Sequence, residues 1–478
     1  MDIHIIDLTI FVAYLIFMLG IGFYFLRKNK SKDDYYVGGR NMSAGHIGLS
    51  VVATDVGGGF SIGLGGLGFV MGLSGSWMLF TGLVGAWLSA VLLIPKVYPI
   101  AKKHGFLTFP ESLAFHYNAK VAFMAGIISL IGYIGFTSSQ ILAGAKLAAA
   151  TFPSISITTA VLFMGIIAVV YTVIGGIKAV IYTDTIQWII LMVGLIGIGI
   201  PLGFIEIGGW SAIRQTLPDE FLTLSNLSFI DFFNWFITIV PIWFVGMTLY
   251  QRIYACKDEK TAKKAWSIAG LFEYPIMAFM GVALGLFSRV AFEQDMFASI
   301  GYGANTALDS ELGLPLLLRT VLPIGLMGLM MSAYFSAIMS TADSCLMAAS
   351  GNLNTDILGY FKKHISIKHT QFLTLLLGSL AILLATAMQN VLELMLYSYA
   401  FMVSGLLVPV IASLVLKKPS SKAAFYAMLM GGSTTLALII LNLKLPGGLD
   451  ANFFGITAAL LVFAVIQYID IKSLKWQS

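Results

Sequence analysis

An all-α polytopic membrane protein with thirteen transmembrane helices is the fold class this sequence predicts, and three observations predict it. The first is composition: of 478 residues, 58% are hydrophobic and 11% charged, and the mean hydropathy of +0.90 lies well above that of soluble chains. The second is the spacing of apolar runs. Stretches of about 20 residues, enough to cross ~30 Å of hydrocarbon at 1.5 Å per residue, fall at 6–26, 46–72, 77–101, 120–150, 156–176, 181–206, 230–252, 265–290, 314–350, 370–389, 391–415, 423–442 and 451–471. The third is charge. Of the 28 lysines and arginines, 23 fall in alternate connections, from Arg27 to Arg40, Lys96 to Lys120, Lys178, Arg252 to Lys264, Lys362 to Lys368, Lys417 to Lys422, and Lys472 with Lys475.

Positive residues are retained on the cytoplasmic side, so this alternation predicts an N-terminus outside, a C-terminus inside and an odd number of spans. Arg214, Arg289 and Lys444 occupy the opposite connections, and Lys146 and Arg319 sit near the outer ends of spans, where long side chains snorkel. The net charge of +5 is thereby explained by loops, without nucleic acid. Two cysteines, Cys256 and Cys345, offer no disulfide framework. The six histidines lie at span ends or in loops, which disfavours haem and electron transfer, and no catalytic His, Cys or metal cluster sits at membrane depth. An enzyme is therefore not expected.

Taken in order, the first run lacks a basic leader and a small-residue cleavage site, so it reads as a retained helix. The second is interrupted by Gly57, Gly58 and Gly59 beside Asp55, and the seventh by Pro241 and Gly246. Such residues open a membrane helix where the freed backbone lines a cavity, or let helices pack closely. Two broken spans five helices apart are the pattern of inverted five-helix repeats with the solute between them. The repeats are placed at 46–206 and 230–415, with 6–26 and 423–471 peripheral.

Three aspartates fall in or at the edge of spans: Asp55 in the second, Asp184 in the sixth and Asp343 in the ninth. Their expected depths are similar. The ninth span reads Ser336, Ala337, Ile338, Met339, Ser340, Thr341, Ala342, Asp343, Ser344, and positions 337, 340, 341 and 344 share one helical face. Carboxylates and hydroxyls at one depth suit a hard cation such as Na⁺; a proton also uses carboxylates but does not require the hydroxyls.

The segment Tyr171 to Gln187, with Tyr171-Thr172, Gly175-Gly176 and Thr183-Asp184 through Gln187, resembles the signature of the sodium:solute symporter family. So does Asp33 to Arg40, and the ninth-span wording is similar to that of choline-type members, while Asp55 after the helix break is similar to proline-type members. The resemblance extends from about 33 to 420 and implies a leucine-transporter-type core carrying out Na⁺-coupled symport by alternating access. It implies one Na⁺ site made by the carbonyls of Ala53, Val56 and Ala337 with the hydroxyls of Ser340 and Thr341. A second is implied where Asp184 faces Ser340, Asp343 and Ser344, its occupancy left open.

The solute end is read from residues near the breaks: Asp55, Gly58, Gln140, Trp243, Glu273 and Tyr397. Glu273 stands about where sugar-carrying relatives have a lysine, which favours a cationic or zwitterionic solute, such as an amino acid, amine or betaine, over a sugar or carboxylate. A structural glutamate is the alternative, as helix-to-helix hydrogen bonding is for Gln140 and core packing for Trp243. The expected partners are a small solute, Na⁺ and the lipid bilayer of a plasma (inner) membrane, with no nucleic acid. An ion channel is the reading from another class.

Overall fold

The computed structural model describes residues 4–28, 36–55, 57–152, 155–303, 306–361 and 367–476. Among the described residues the backbone is helical, without strands beyond an isolated bridge between Met42 and Cys256. The longer helices are α1 (Ile5–Lys28), α2 (Ala44–Asp55), α3 (Gly57–Met71), α4 (Trp77–Leu92), α5 (Ala119–Thr151), α6 (Ile157–Gly194), α7 (Phe229–Val245), α8 (Met247–Ala255) and α9 (Glu259–Phe272). They continue as α10 (Phe279–Glu293), α11 (Ser310–Val321), α12 (Leu326–Gly351), α13 (Ile367–Ala387), α14 (Val391–Val415), α15 (Ser421–Ile440) and α16 (Ala451–Trp476). In hydrocarbon every peptide group must be satisfied internally, and a helix does this within one segment.

Among the described residues each expected apolar run falls largely on helix, but the runs do not all map onto separate helices. The fifth and sixth fall on one unbroken helical course, from α6 through a wider i→i+5 turn at Leu195–Gly199 to Glu206. The ninth is divided, with α11 and α12 separated at Leu322–Gly325. Among the described residues, eight helices are long and apolar enough to cross a membrane, or nine if α7 and α8 form one span. Helix α12 is not among them, because Ser332, Ser336, Ser340, Thr341, Asp343 and Ser344 lower its hydropathy, although all six are buried.

Helix α12 is the centre of the packing, lying against α5 and α6, with α1, α3 and α13 also touching it. A second group is built on α3, which packs on α10 and α11, while α2 packs on α9 and α6. Small residues set the approach of these helices. A Cβ on Gly285 of α10 would lie 2.1 Å from the carbonyl oxygen of Gly65 on α3, and one on Gly68 would lie 2.3 Å from that of Val282, so the two backbones are in contact. Hydroxyls inside α5 return to their own helix, Thr137 Oγ1 donating to the Tyr133 carbonyl at 2.7 Å and Ser138 Oγ to that of Ile134 at 2.7 Å, which removes the cost of burying them. On α1, Asp7 accepts from the Gly325 and Gly328 amides at 2.8 and 2.6 Å. Its carboxylate thus caps the positive end of α12.

The positively charged connections gather at one end. Lys102 Nζ donates to the Lys257 carbonyl at 3.4 Å, Lys96 Nζ to that of Leu414 at 2.6 Å, and Arg40 Nη2 to those of Gly105 and Phe106 at 3.1 and 2.8 Å. Loops containing Ser74, Thr223 and Asn226 meet at the other end.

Candidate cation and solute site

The interruption expected at Gly246 is present, and at the first expected break Gly57 departs from helical geometry. Helix α2 stops at Asp55 and α3 starts at Gly57, while Val56, an expected carbonyl ligand, lies outside the described residues. Helices α7 and α8 meet at Gly246 with a bend of 42°. Gly57 has φ of +32°, a conformation that L side chains rarely adopt, and a Cβ there would stand 2.2 Å from Thr341 Oγ1. Glycine is therefore required on two counts. It lets Thr341 of α12 approach the break, where Thr341 Oγ1 lies 2.9 Å from the Ala53 carbonyl oxygen and 3.2 Å from that of Ala337. Three oxygens from two helices thus converge, all from residues no more than 3% exposed.

Ser340, one residue before, donates instead to Asp184 Oδ1. Asp184 Oδ2 accepts from Ser50 Oγ at 2.5 Å and pairs with Arg252 Nη2 at 3.4 Å. The Arg252 guanidinium also donates to Ser50 Oγ at 3.0 Å, Ser344 Oγ at 3.0 Å, the Thr248 carbonyl at 3.2 Å, and Thr54 Oγ1. Asp184, Arg252, Ser50 and Ser344 are each 0% exposed. A buried carboxylate is tolerated when a cation and hydrogen bonds replace its water, and this cluster supplies both, joining α2, α6, α8 and α12. Sequence reasoning counted Arg252 as a loop charge. The signal was there: it stands four residues from Thr248, within a segment interrupted at Gly246 and otherwise largely apolar.

Asp343 is bonded to Thr172 of α6. Its Oδ1 accepts from Thr172, whose hydroxyl also donates to the Ala168 carbonyl at 2.9 Å. Its Oδ2, fully buried, has no hydrogen-bond partner among the described residues.

Most expected solute residues cluster on the far side of the break. Gly58 lies in the first turn of α3. The Gly59 amide donates to Gln140 Oε1 at 3.2 Å, and a Cβ on Gly59 would lie 2.4 Å from that oxygen. Tyr399 Oη donates to Asp55 Oδ1 at 3.2 Å. Glu273, 1% exposed, opens an i→i+5 turn at Glu273–Ala278 that contains Pro275; such turns concentrate at functional sites. Gly82 and Gly85, three residues apart on one face of α4, make room for Glu273 and Trp243. A Cβ on Gly82 would lie 1.9 Å from Glu273 Oε1, and one on Gly85 would lie 2.4 Å from Trp243 Cδ1. Tyr397 is placed elsewhere. Two residues from Tyr399, it points to the other side of α14 and donates to Glu393 Oε1 at 2.6 Å.

Tyr397 lines a cavity of about 460 Å³ at the end opposite the lysine-rich loops, along with Gly66, Glu311, Asn390, Glu393 and Asp450. Lys146, expected to snorkel, is instead 0% exposed beside this cavity and pairs with Asp309 at 2.5 Å and Glu311 at 2.6 Å. Glu311 also accepts from the Val391 and Leu392 amides at 2.9 Å each, joining α5, α11 and the start of α14. Asp450, exposed in the loop before α16, has its pKa raised by the partial loss of water around its carboxyl and by the nearby Asp231.

A broken pair of helices, a hydroxyl-rich helix against the first break and an acidic centre are the geometry of an ion-coupled carrier. A sequence model of the sodium:solute symporter family matches residues 35–431. The chain belongs to the sodium:solute symporter family. Among relatives of this symporter, the sodium/myo-inositol cotransporter of Bos taurus is 27% identical, over 92% of this chain and 67% of its own length. The sodium/glucose cotransporter 1 of Oryctolagus cuniculus is 26% identical, over 89% of this chain and 70% of its own. A solved Na⁺-coupled sialic acid symporter, substrate-bound and outward-open, superposes with a TM-score of 0.77 at 21% identity, covering 97% of this chain and 98% of that one. A nucleobase-cation-symport-1 family transporter gives 0.59 at 13% identity, over 93% and 96%. The expected fold class and Na⁺ as coupling ion both stand: this is an integral-membrane, sodium-coupled symporter with a leucine-transporter-type fold, and not an enzyme. The count of thirteen spans is not established by the helices described.

Proposed function

We propose that this symporter uses the Na⁺ gradient to import a small organic solute, an amino acid, amine or betaine-like compound, across the plasma (inner) membrane by alternating access. Na⁺ binds at the break between α2 and α3, held by the carbonyls of Ala53, Val56 and Ala337 and the hydroxyls of Ser340 and Thr341. The observation that carries this is Thr341 Oγ1 standing within 2.9 and 3.2 Å of the Ala53 and Ala337 carbonyls: three oxygens from two helices meet where a cation would pin those helices together. A second cation would be held at Asp343, with Asp184 and Ser344. Arg252 already brings a positive charge to Asp184, so the unpartnered Oδ2 of Asp343 is the point still needing one.

Segments 46–206 and 230–415 serve as the inverted repeats, a reading supported by the non-helical φ at Gly57 and the bend at Gly246. With the lysine-rich end in the cytoplasm, the cavity beside Tyr397 is the outer vestibule. Each Na⁺ charge crossing 100 mV supplies ~2.3 kcal/mol. Asp55, Gly58, Gln140, Trp243 and Glu273 surround the solute, with Tyr397 on its way in. The names of the relatives support a second reading, a sugar, inositol or sugar acid; the buried carboxyls of Asp55 and Glu273 favour the first.

The test is uptake into proteoliposomes of L-alanine, ethanolamine, glycine betaine, myo-inositol and sialic acid under an inward Na⁺ gradient, with K⁺ as control. Accumulation should need Na⁺ and should lose that dependence in Ser340→Ala. Equilibration without accumulation would mean a channel, and Ser340→Ala with wild-type Na⁺ dependence would remove the cage.

A further inference from the structure

The polar groups at the centre of the molecule are unequally provided for. Glu273 is 1% exposed, and among the described residues no group other than a neighbouring carboxyl is placed to donate to its carboxyl oxygens. The polar group against it is the carboxyl of Asp55, which is itself 7% exposed and receives the Tyr399 hydroxyl at 3.2 Å. Two carboxyls in contact, in a region of low dielectric, cannot both be charged unless a positive group comes between them; without one they share a proton. A second group is also unsatisfied. The indole Nε1 of Trp243, 0% exposed, donates to nothing among the described residues. Both side chains rest on the glycine face of α4, Glu273 over Gly82 and Trp243 over Gly85, so a carboxyl lacking a basic partner and an indole N–H lacking an acceptor are neighbours.

Arg252 does not meet the need, being committed to Ser50, Thr54, Ser344 and Asp184. Na⁺ in the proposed cage is held by carbonyl and hydroxyl oxygens and not by Glu273, which rests against Gly82. The site asks for a cation that comes and goes with the solute and carries its own N–H bonds. A quaternary ammonium brings charge without donors. A polyol brings donors without charge.

We infer that the solute of this symporter carries an N–H-bearing ammonium group, which binds between Glu273 and Asp55, and a hydrogen-bond acceptor, which receives the Trp243 indole N–H. This rests on the sodium-symport reading above and narrows its solute to protonated amines with a neighbouring hydroxyl or carboxylate, such as amino acids and amino alcohols.

The experiment uses purified full-length protein in detergent and reads thermal unfolding with L-alanine, ethanolamine, choline, glycine betaine or myo-inositol added, each in Na⁺ and in K⁺. L-alanine or ethanolamine should raise the midpoint in Na⁺, while choline, the N-methylated counterpart of ethanolamine, glycine betaine, whose ammonium likewise carries no N–H, and myo-inositol should not. Glu273→Gln keeps the size of the side chain and should weaken amine binding by ~10-fold or more, the loss expected for a hydrogen bond to a charged group. Gly82→Ala, which drives Glu273 from its seat, should do the same. Both variants should keep the midpoint shift produced by Na⁺ alone. Preference for myo-inositol, choline or glycine betaine, no response to either amine, or amine binding unchanged by Glu273→Gln would each overturn the inference. Its failure is separable from that of the reading beneath it, because a wild-type protein with no Na⁺-dependent shift would overturn sodium binding whatever the amines do.

Discussion

Replacing Arg252 by methionine tests whether the centre of this symporter is one coupled network. Met fills much of the same volume but removes the donors to Ser50, Thr54, Ser344 and the Thr248 carbonyl, and the ion pair with Asp184 at 3.4 Å. Both partners are 0% exposed, so the stranded Asp184 carboxylate keeps only the hydroxyls of Ser50 and Ser340. Removing one member of a buried pair costs about 3–5 kcal/mol, mostly through the uncompensated charge that remains. Asp184→Asn should cost a similar amount, by leaving the guanidinium unpaired. The double variant has no stranded charge and should cost little more than either single one, a coupling close to one single loss, about 3 kcal/mol or more. Equilibrium unfolding of the four proteins in mixed micelles measures the cycle. Single losses under ~1 kcal/mol that simply add would show that Arg252 and Asp184 act independently, and the network reasoning would fail.

Gly57→Ala should weaken Na⁺ binding by ~10-fold or more, because its Cβ would stand 2.2 Å from Thr341 Oγ1 at a φ of +32°; a Na⁺ titration of the unfolding midpoint checks this. Lys146→Met should destabilise by about 3 kcal/mol, since Glu311 and Asp309 lose their buried partner, and adding Glu311→Gln should recover part of the loss in the same unfolding assay. For Asp450, partial desolvation first and the charge of Asp231 second raise the folded pKa above 3.8. The protein thus favours the neutral form, and stability falls as pH rises through the folded value. Asp450→Asn should therefore be more stable than wild type at pH 7, with the difference vanishing below the unfolded pKa; unfolding midpoints against pH decide it.

Much of the architecture was legible because lipid leaves few choices: apolar runs of about 20 residues must be helices, and glycines beside Asp55 and at 246 in such runs mark interruptions. Division of the runs was harder. The stretch from 157 to 206 carries Gly175, Gly176 and Lys178 as if for a turn, yet its backbone stays helical throughout, since two glycines weaken a helix without ending it. The hydroxyl face of α12 was legible from spacing. Its counterparts were not, because Ser50, Thr54 and Thr172 look like ordinary hydroxyls until folding brings them to Asp184, Arg252 and Asp343. Charge counting misplaced Arg252 and Lys146, both fully buried: the rule treats a cation near a span end as solvated, and only the positions of Asp184 and Glu311 show otherwise. Tyr397 was expected at the solute, but Tyr399 is the residue bonded to Asp55. Two steps along a helix turn a side chain by ~200°, and both tyrosines lie in the same apolar run.

The central claim, that oxygens at the break between α2 and α3 hold the coupling ion, is tested most directly without any solute. Binding of ²²Na⁺ to purified protein, followed by scintillation proximity, should be saturable in wild type and at least ~10-fold weaker in Thr341→Ala and in Ser340→Ala. Wild-type affinity in both variants would contradict the account.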